Sequence, residues 1–254
     1  MAELVRVLIL GGTSEAVALA RRLASEPRLA VTTSLAGRTL APTAPPGAVR
    51  RGGFSGAAGL AKYLYARRID AVVDATHPYA ARMSANAAAA CGDAGVARLM
   101  LHRPPWPRRP EDRWIEVADG TAAATALPAH GRRVFLAIGR DGLAPFAARA
   151  DTWFLARLID PPTAPLPLAR CEVIRGRGPF AVEDELALMR AHRIDVVVSK
   201  NSGGTATFAK IEAARTLGLP VVMIARPPPT PGESVATVDA AVAWVRNLIA
   251  SCDA

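Results

Sequence analysis

Short runs of β-branched and aliphatic residues alternate along this chain with alanine-rich stretches of helical spacing, and that alternation leaves little choice of fold. Strands written as near-continuous apolar runs are covered on both faces, and a helix between two of them makes the crossover that a parallel sheet requires. The pattern predicts strands at Val5–Leu10, Ala30–Ser34, Ala71–Asp74, Arg98–Leu101 and Trp114–Val117. It predicts five more at Arg133–Ile138, Thr152–Arg157, Cys171–Arg175, Asp195–Ser199 and Pro220–Ala225. Helices are predicted at Ser14–Leu23, Gly59–Arg67, Pro78–Cys91, Thr121–Leu127, Val182–Arg190, Ala206–Leu217 and Val235–Ile249. These strands are too many for one ordinary open sheet with this helix count. The segment Arg103–Arg113, with four prolines and four arginines, reads as a domain linker. The expectation is an α/β protein of two Rossmann-like three-layer domains with mostly parallel sheets, at 1–103 and 112–254. How the last strand and helix are shared between the domains stays open.

In such sheets ligands bind beyond the carboxyl ends of the strands, so the strand exits hold the candidate residues. The first strand runs into Gly11-Gly12-Thr13-Ser14-Glu15-Ala16 and then an amphipathic helix. A glycine turn at a helix N-terminus turns backbone N–H groups and the helix dipole toward a pyrophosphate. Thr13 and Ser14 either cap the helix or donate to phosphate oxygens. The glycines are adjacent and Ala16 stands where a third is usual, so a plain tight turn remains an alternative. After the second strand, Thr32-Thr33-Ser34-Leu35-Ala36-Gly37-Arg38 contains no carboxylate. NAD sites place an acid here for the ribose 2′-hydroxyl, whereas NADP sites supply arginine. Ser34 and Arg38 therefore point to NADPH. Gly53, within Arg51-Gly52-Gly53-Phe54, offers backbone approach, and Thr76 and His77 follow the strand ending at Asp74, where the nicotinamide belongs. His77 is the one candidate proton donor, and no residue is assigned a catalytic role.

Three exits in the second half each set a cation beside glycine: Gly139-Arg140-Asp141-Gly142, Gly176-Arg177-Gly178-Pro179-Phe180 and Lys200-Asn201-Ser202-Gly203-Gly204. Glycine frees backbone N–H groups, and Arg or Lys adds charge-assisted bonds to carboxylate or phosphate. Arg140, Arg177, Lys200, Asn201, Ser202 and Gly203 together describe a site for a ligand with several negative groups. Lysine occurs only at Lys62, Lys200 and Lys210, so Lys200 is a distinctive choice, while Lys210 reads equally as an ordinary exposed residue. The formal charge of +9 agrees with an anionic partner, and the scattered arginines suit pockets better than a nucleic-acid stripe. Cys91, Cys171 and Cys252 have no metal-ligand or redox spacing, so no metal is expected. No apolar run approaches a membrane span and no leader pattern precedes the first strand, making a reducing cytoplasm the expectation.

These segments resemble the precorrin-6A reductase family, CobK and CbiJ, of cobalamin synthesis. The resemblance runs through Leu10–Ala16, Thr33–Arg38, Asp74–Ala80, Arg177–Phe180, Lys200–Gly204 and Ala225-Arg226-Pro227-Pro228, nearly the whole chain. Arg175, just upstream of the Arg-Gly-Pro-Phe motif, is an addition to the pattern. The resemblance implies hydride transfer from NADPH to one carbon–carbon double bond of a corrin precursor, giving precorrin-6B. It implies a tetrapyrrole polycarboxylate as partner, with neither nucleic acid nor membrane involved and no metal or flavin held by the protein; the oligomeric state stays open, a monomer being workable. A short-chain dehydrogenase needs Tyr-x-x-x-Lys, and Tyr63, Tyr65 and Tyr79 have no lysine four residues on. The non-enzymatic alternative, a basic nucleotide-sensing or nucleic-acid-binding module, explains the charge but not the glycines at successive exits.

Overall fold

A computed structural model describes residues 4–37 and 45–251. The chain begins with β1 (Val5–Leu10), α1 (Ser14–Leu23), β2 (Leu29–Leu35), β3 (Ala48–Arg51), α2 (Ala57–Arg67), β4 (Ala71–Asp74), α3 (Ala81–Ala94) and β5 (Ala97–Leu101). It continues through β6 (Trp114–Val117), α4 (Gly120–Ala126), β7 (Arg133–Ala137), β8 (Trp153–Leu158), β9 (Cys171–Arg175) and α5 (Val182–Ala191). It closes with β10 (Val196–Lys200), α6 (Ala209–Thr216), β11 (Val221–Ile224), β12 (Ser234–Val235) and α7 (Val238–Ser251).

Two compact units result: residues Met1–Arg103 with Pro227–Ala254, and Pro104–Arg226. Each holds one six-stranded sheet, ordered β12-β5-β4-β1-β2-β3 in the first and β6-β11-β10-β7-β8-β9 in the second. Every strand pair is parallel. Both orders are that of a Rossmann sheet, with the switch point between β1 and β4 in one unit and between β7 and β10 in the other. The sixth strand differs in origin: the first unit takes it from the end of the chain, the second from its own first strand.

The period-two alternation of β1 explains the layers of the first unit. Val7 and Ile9 face Leu19 and Leu23 of α1 and Val242 and Val245 of α7. Leu8 and Leu10 face the other way, onto Leu60 and Leu64 of α2 and Ala87 of α3. Each such side chain removed from water contributes about 1.5–3 kcal/mol. In the second unit Phe135, Leu155 and Val197 fill the same role against Met189, Ile211 and Ala214.

The structure departs from the sequence expectations where tertiary pairing overrides local pattern. The second unit ends at Arg226 instead of running to 254, because β12 pairs with β5 and α7 covers α1. Strands β3 and β12 were not expected: one is an exposed edge carrying two arginines, the other only two residues long. α3 starts at Ala81, not Pro78, since Ala80 N–H bonds the His77 carbonyl at 2.7 Å in a separate turn. The expected linker is no loose connection: Trp106 is 6% exposed within the second unit's core.

Candidate functional site

At the switch point of the first unit, the Gly11–Ser14 turn and the exit of β4 are tied together. Gly11 N–H donates to the Ser34 carbonyl at 2.9 Å, and a Cβ on Gly11 would press Thr33 Cγ2 at 3.0 Å. Gly12 has φ +116, and a Cβ there would meet nothing within 4 Å, so the space before the N-terminus of α1 is open. Thr13 Oγ1 accepts from Ala16 N–H at 3.1 Å and donates to the Ala75 carbonyl at 2.7 Å. Of the two roles open to its side chain, Thr13 takes that of helix cap, with its hydroxyl proton directed to Ala75. Ser14 Oγ donates to Glu15 Oε2 at 3.0 Å, and the same oxygen takes Arg103 Nη1 at 2.6 Å.

Beyond β4, Asp74 is 2% exposed; its Oδ1 accepts from Thr76 N–H at 3.2 Å and Thr76 Oγ1 at 2.7 Å. Tyr79 N–H donates to His77 Nδ1 at 3.3 Å, which puts the proton of a neutral His77 ring on Nε2. Asp74, Thr76, His77 and Ser84 line an open hollow with Met100 and His102. A second hollow joins Thr13 and Glu15 to Thr76 and Arg103. Thr76 borders both, so the two hollows adjoin at the strand exits.

The exits of β2 and β3 reveal a residue that the sequence reading missed. Arg50 Nη1 donates to Ser34 Oγ at 3.2 Å and to the Gly52 carbonyl at 2.5 Å, and Nη2 donates to the Gly53 carbonyl at 2.6 Å. Its guanidinium lies 3.7 Å from the centre of the Phe54 ring and 5.3 Å from that of Tyr63. The rings fix the plane of the cation, and Ser34, 5% exposed, is held beside it. An arginine leading into Gly-Gly-Phe was the available signal. Arg38 lies outside the described residues.

In the second unit all strands are parallel, so Arg140, Arg177 and Lys200 leave the same end of the sheet. Arg140 and Arg177 are exposed, and their guanidinium groups have no polar or ionic partner among the described residues. In the Lys200–Gly204 segment, Asn201 Oδ1 accepts from Trp106 N–H at 2.7 Å and its Nδ2 donates to the Trp106 carbonyl at 3.2 Å, so the amide braces the Trp106 backbone. Gly203, at φ +68, is buried where a Cβ would sit 2.1 Å from the Pro104 carbonyl oxygen, which makes it a packing glycine. Ser202 N–H and Oγ turn back to the Lys200 carbonyl at 2.8 and 3.4 Å.

Among the titratable groups, burial pushes the Cys91 thiol up to about 11 and also raises Cys171. No cluster of metal-ligating side chains occurs among the described residues, and no helix there is long and apolar enough to cross a membrane.

The sequence model of the precorrin-6x reductase CbiJ/CobK family matches residues 6–246. A precorrin-6A reductase of Rhodococcus erythropolis is 52% identical over 244 residues, spanning 96% of this chain and 98% of the relative. One from Rhodobacter capsulatus is 48% identical over 242 residues, spanning 95% and 96%. A solved structure described as CobK precorrin-6A reductase superimposes with a TM-score of 0.91 at 46% identity, covering 96% of this chain and 97% of that one.

Proposed function

The chain belongs to the CbiJ/CobK family of precorrin-6x reductases, oxidoreductases of cobalamin biosynthesis, and from that premise we propose that it reduces one ring double bond of precorrin-6A, or its cobalt form, with NADPH. A bound reduced nicotinamide supplies the hydride, and the chain's residues bind, orient and neutralise. On this reading the first unit holds the cofactor. The backbone N–H groups of Gly12, Thr13 and Ser14 take the pyrophosphate at the N-terminus of α1, and Gly53, Thr76 and His77 border its two ends. Ser34 and Arg50, with Arg38 from the adjoining segment, take the 2′-phosphate. The second unit holds the substrate, with Arg140, Arg177 and Lys200 meeting its carboxylates and Ser202 offering a further polar contact. His77 Nε2 is the candidate proton source.

The observation that carries the cofactor choice is Arg50, a cation close to two aromatic rings and bonded to Ser34 beside a strand exit without carboxylate. A charge-assisted arginine–phosphate contact is worth about 1.5–3 kcal/mol, which is on the order of tenfold to a hundredfold in affinity. Titrating NADPH and NADH into the purified protein and into Arg50→Met tests it. The parent should prefer NADPH, and the variant should lose affinity for NADPH while its affinity for NADH changes little. A parent that prefers NADH refutes the cofactor, whereas a variant that keeps the preference refutes only the role of Arg50.

A further inference from the structure

The second unit buries Glu185 and Lys210, with Arg157 beside them 11% exposed at its side chain. Glu185 of α5 is 1% exposed, and its Oε1 takes Arg157 Nη1 of β8 at 2.6 Å. Glu185 Oε2 has no hydrogen-bond partner among the described residues. Lys210 of α6 is 4% exposed; its Nζ donates to the Thr207 carbonyl at 2.6 Å and lies 4.8 Å from the centre of the Trp106 ring. One carboxylate among two cations leaves surplus positive charge in a poorly solvated place, which is costly and favours loss of the Lys210 proton.

The two cations of this cluster each touch a segment at the strand-exit end. On one side, the Trp106 ring that faces Lys210 donates its Nε1–H to the Gly204 carbonyl at 2.6 Å, while its backbone is braced by Asn201. On the other side, Arg157 lies 4.1 Å from the centre of the Phe180 ring, in the loop that bears Arg177. The two loops meet where Phe180 N–H donates to the Ala206 carbonyl at 3.3 Å, and a Cβ on Gly178 would stand 2.4 Å from that same oxygen. Lys210 therefore stands behind the loop that carries Lys200, linked to it through Thr207 and through Trp106.

We propose that Lys210 is a positioning residue for the substrate's carboxylates: its ammonium, held between Thr207 and Trp106, fixes the 200–207 loop in its binding geometry, and fixes it more firmly protonated than neutral. The inference rests on the reading of the second unit as the substrate side. A neutral amine keeps its bond to Thr207 but loses the attraction of the indole face and of Glu185. Burial holds the Lys210 pKa down, from 10.5 to about 7, with Glu185 raising it and Arg157 lowering it. The charged groups facing Lys210 are thus Glu185 from α5 and Arg157 from β8, while the 104–113 segment presents a ring. Arg215, on its own helix, is paired with Asp112 at 2.9 Å.

Steady-state kinetics with precorrin-6A at saturating NADPH, from about pH 6 to about pH 9, test the proposal on the parent, Lys210→Met, Lys210→Arg and Lys200→Ala. The parent's KM is expected to rise about tenfold across that range, as one favourable contact is lost. Lys210→Met should start at the high KM and stay there, with kcat and NADPH affinity within about twofold of the parent. Lys210→Arg, charged throughout, should hold the low KM to the alkaline end. A Met variant with the parent's KM overturns the proposal, as does one with a uniform loss that preserves the parent's pH profile, which marks a merely structural lysine. If Lys210→Met does not fold, Lys210→Arg decides: a KM that rises with pH as the parent's does refutes the role of Lys210. A Lys200→Ala variant with unchanged KM refutes the substrate-side reading instead.

Discussion

Lys210→Met is expected to make the protein more stable near neutrality, and the gain should vanish with rising pH. In the folded protein this lysine titrates at about 7, against an ordinary value of 10.5. Between those two values the unfolded chain holds a proton that the folded protein has released, so the parent's stability climbs with pH across the window. At about 1.4 kcal/mol per pH unit the interval is worth ~5 kcal/mol, all of it a cost to the parent below about pH 7 and none above 10.5. Methionine has similar length and no charge to desolvate, but it leaves the Thr207 carbonyl without its donor, a loss of about 1 kcal/mol. The variant should therefore exceed the parent by ~3–4 kcal/mol near pH 6, and the two should come level near pH 10. Urea unfolding followed by tryptophan fluorescence suits the question, because Trp106, Trp114 and Trp153 lie in the second unit and only Trp244 in the first. A variant less stable than the parent near pH 6, or one with the same advantage at both ends of the range, would refute the reasoning.

Two further substitutions separate the roles of the units. Gly12→Val sets an isopropyl group at φ +116 into the open space before α1; it should abolish NADPH binding, with the far-ultraviolet circular dichroism unchanged and a stability loss of about 1–3 kcal/mol, and normal binding by a folded variant would contradict the phosphate turn. Lys200→Ala should lower kcat/KM for the tetrapyrrole on the order of tenfold to a hundredfold with NADPH affinity nearly intact; impaired NADPH binding with the substrate spared would mean that the units' roles are reversed.

Most of the architecture was legible because buried parallel strands announce themselves. Val5–Leu10, Ala71–Asp74, Trp114–Val117 and Cys171–Arg175 run as the pattern predicts, residue for residue. What escaped was held by distant partners. Ala48–Arg51 looks like a polar loop and becomes a strand only by lying in register beside Thr32–Leu35. The brace that Asn201 makes could not be read because the backbone it holds is that of Trp106, 95 residues away. Lys210 carried a weak signal: Ala213 and Ala214, three and four residues on, are both buried, so the lysine shares an apolar helix face. Arg50 had aromatic neighbours in the sequence, but its hold on Ser34 exists only in the folded sheet.

The chain's departure at Arg103 and return at Pro227 set the order in which its parts are completed. A ribosome delivers residues 104–226 as one uninterrupted block, with every strand of the second sheet in hand before the chain ends. The first unit has no such closure. Until Ala241, Val242 and Val245 emerge, the face of its sheet that Leu19 and Leu23 cover lacks its second helix, and β5 lacks its outer neighbour. The unit whose synthesis starts first is the one that closes last.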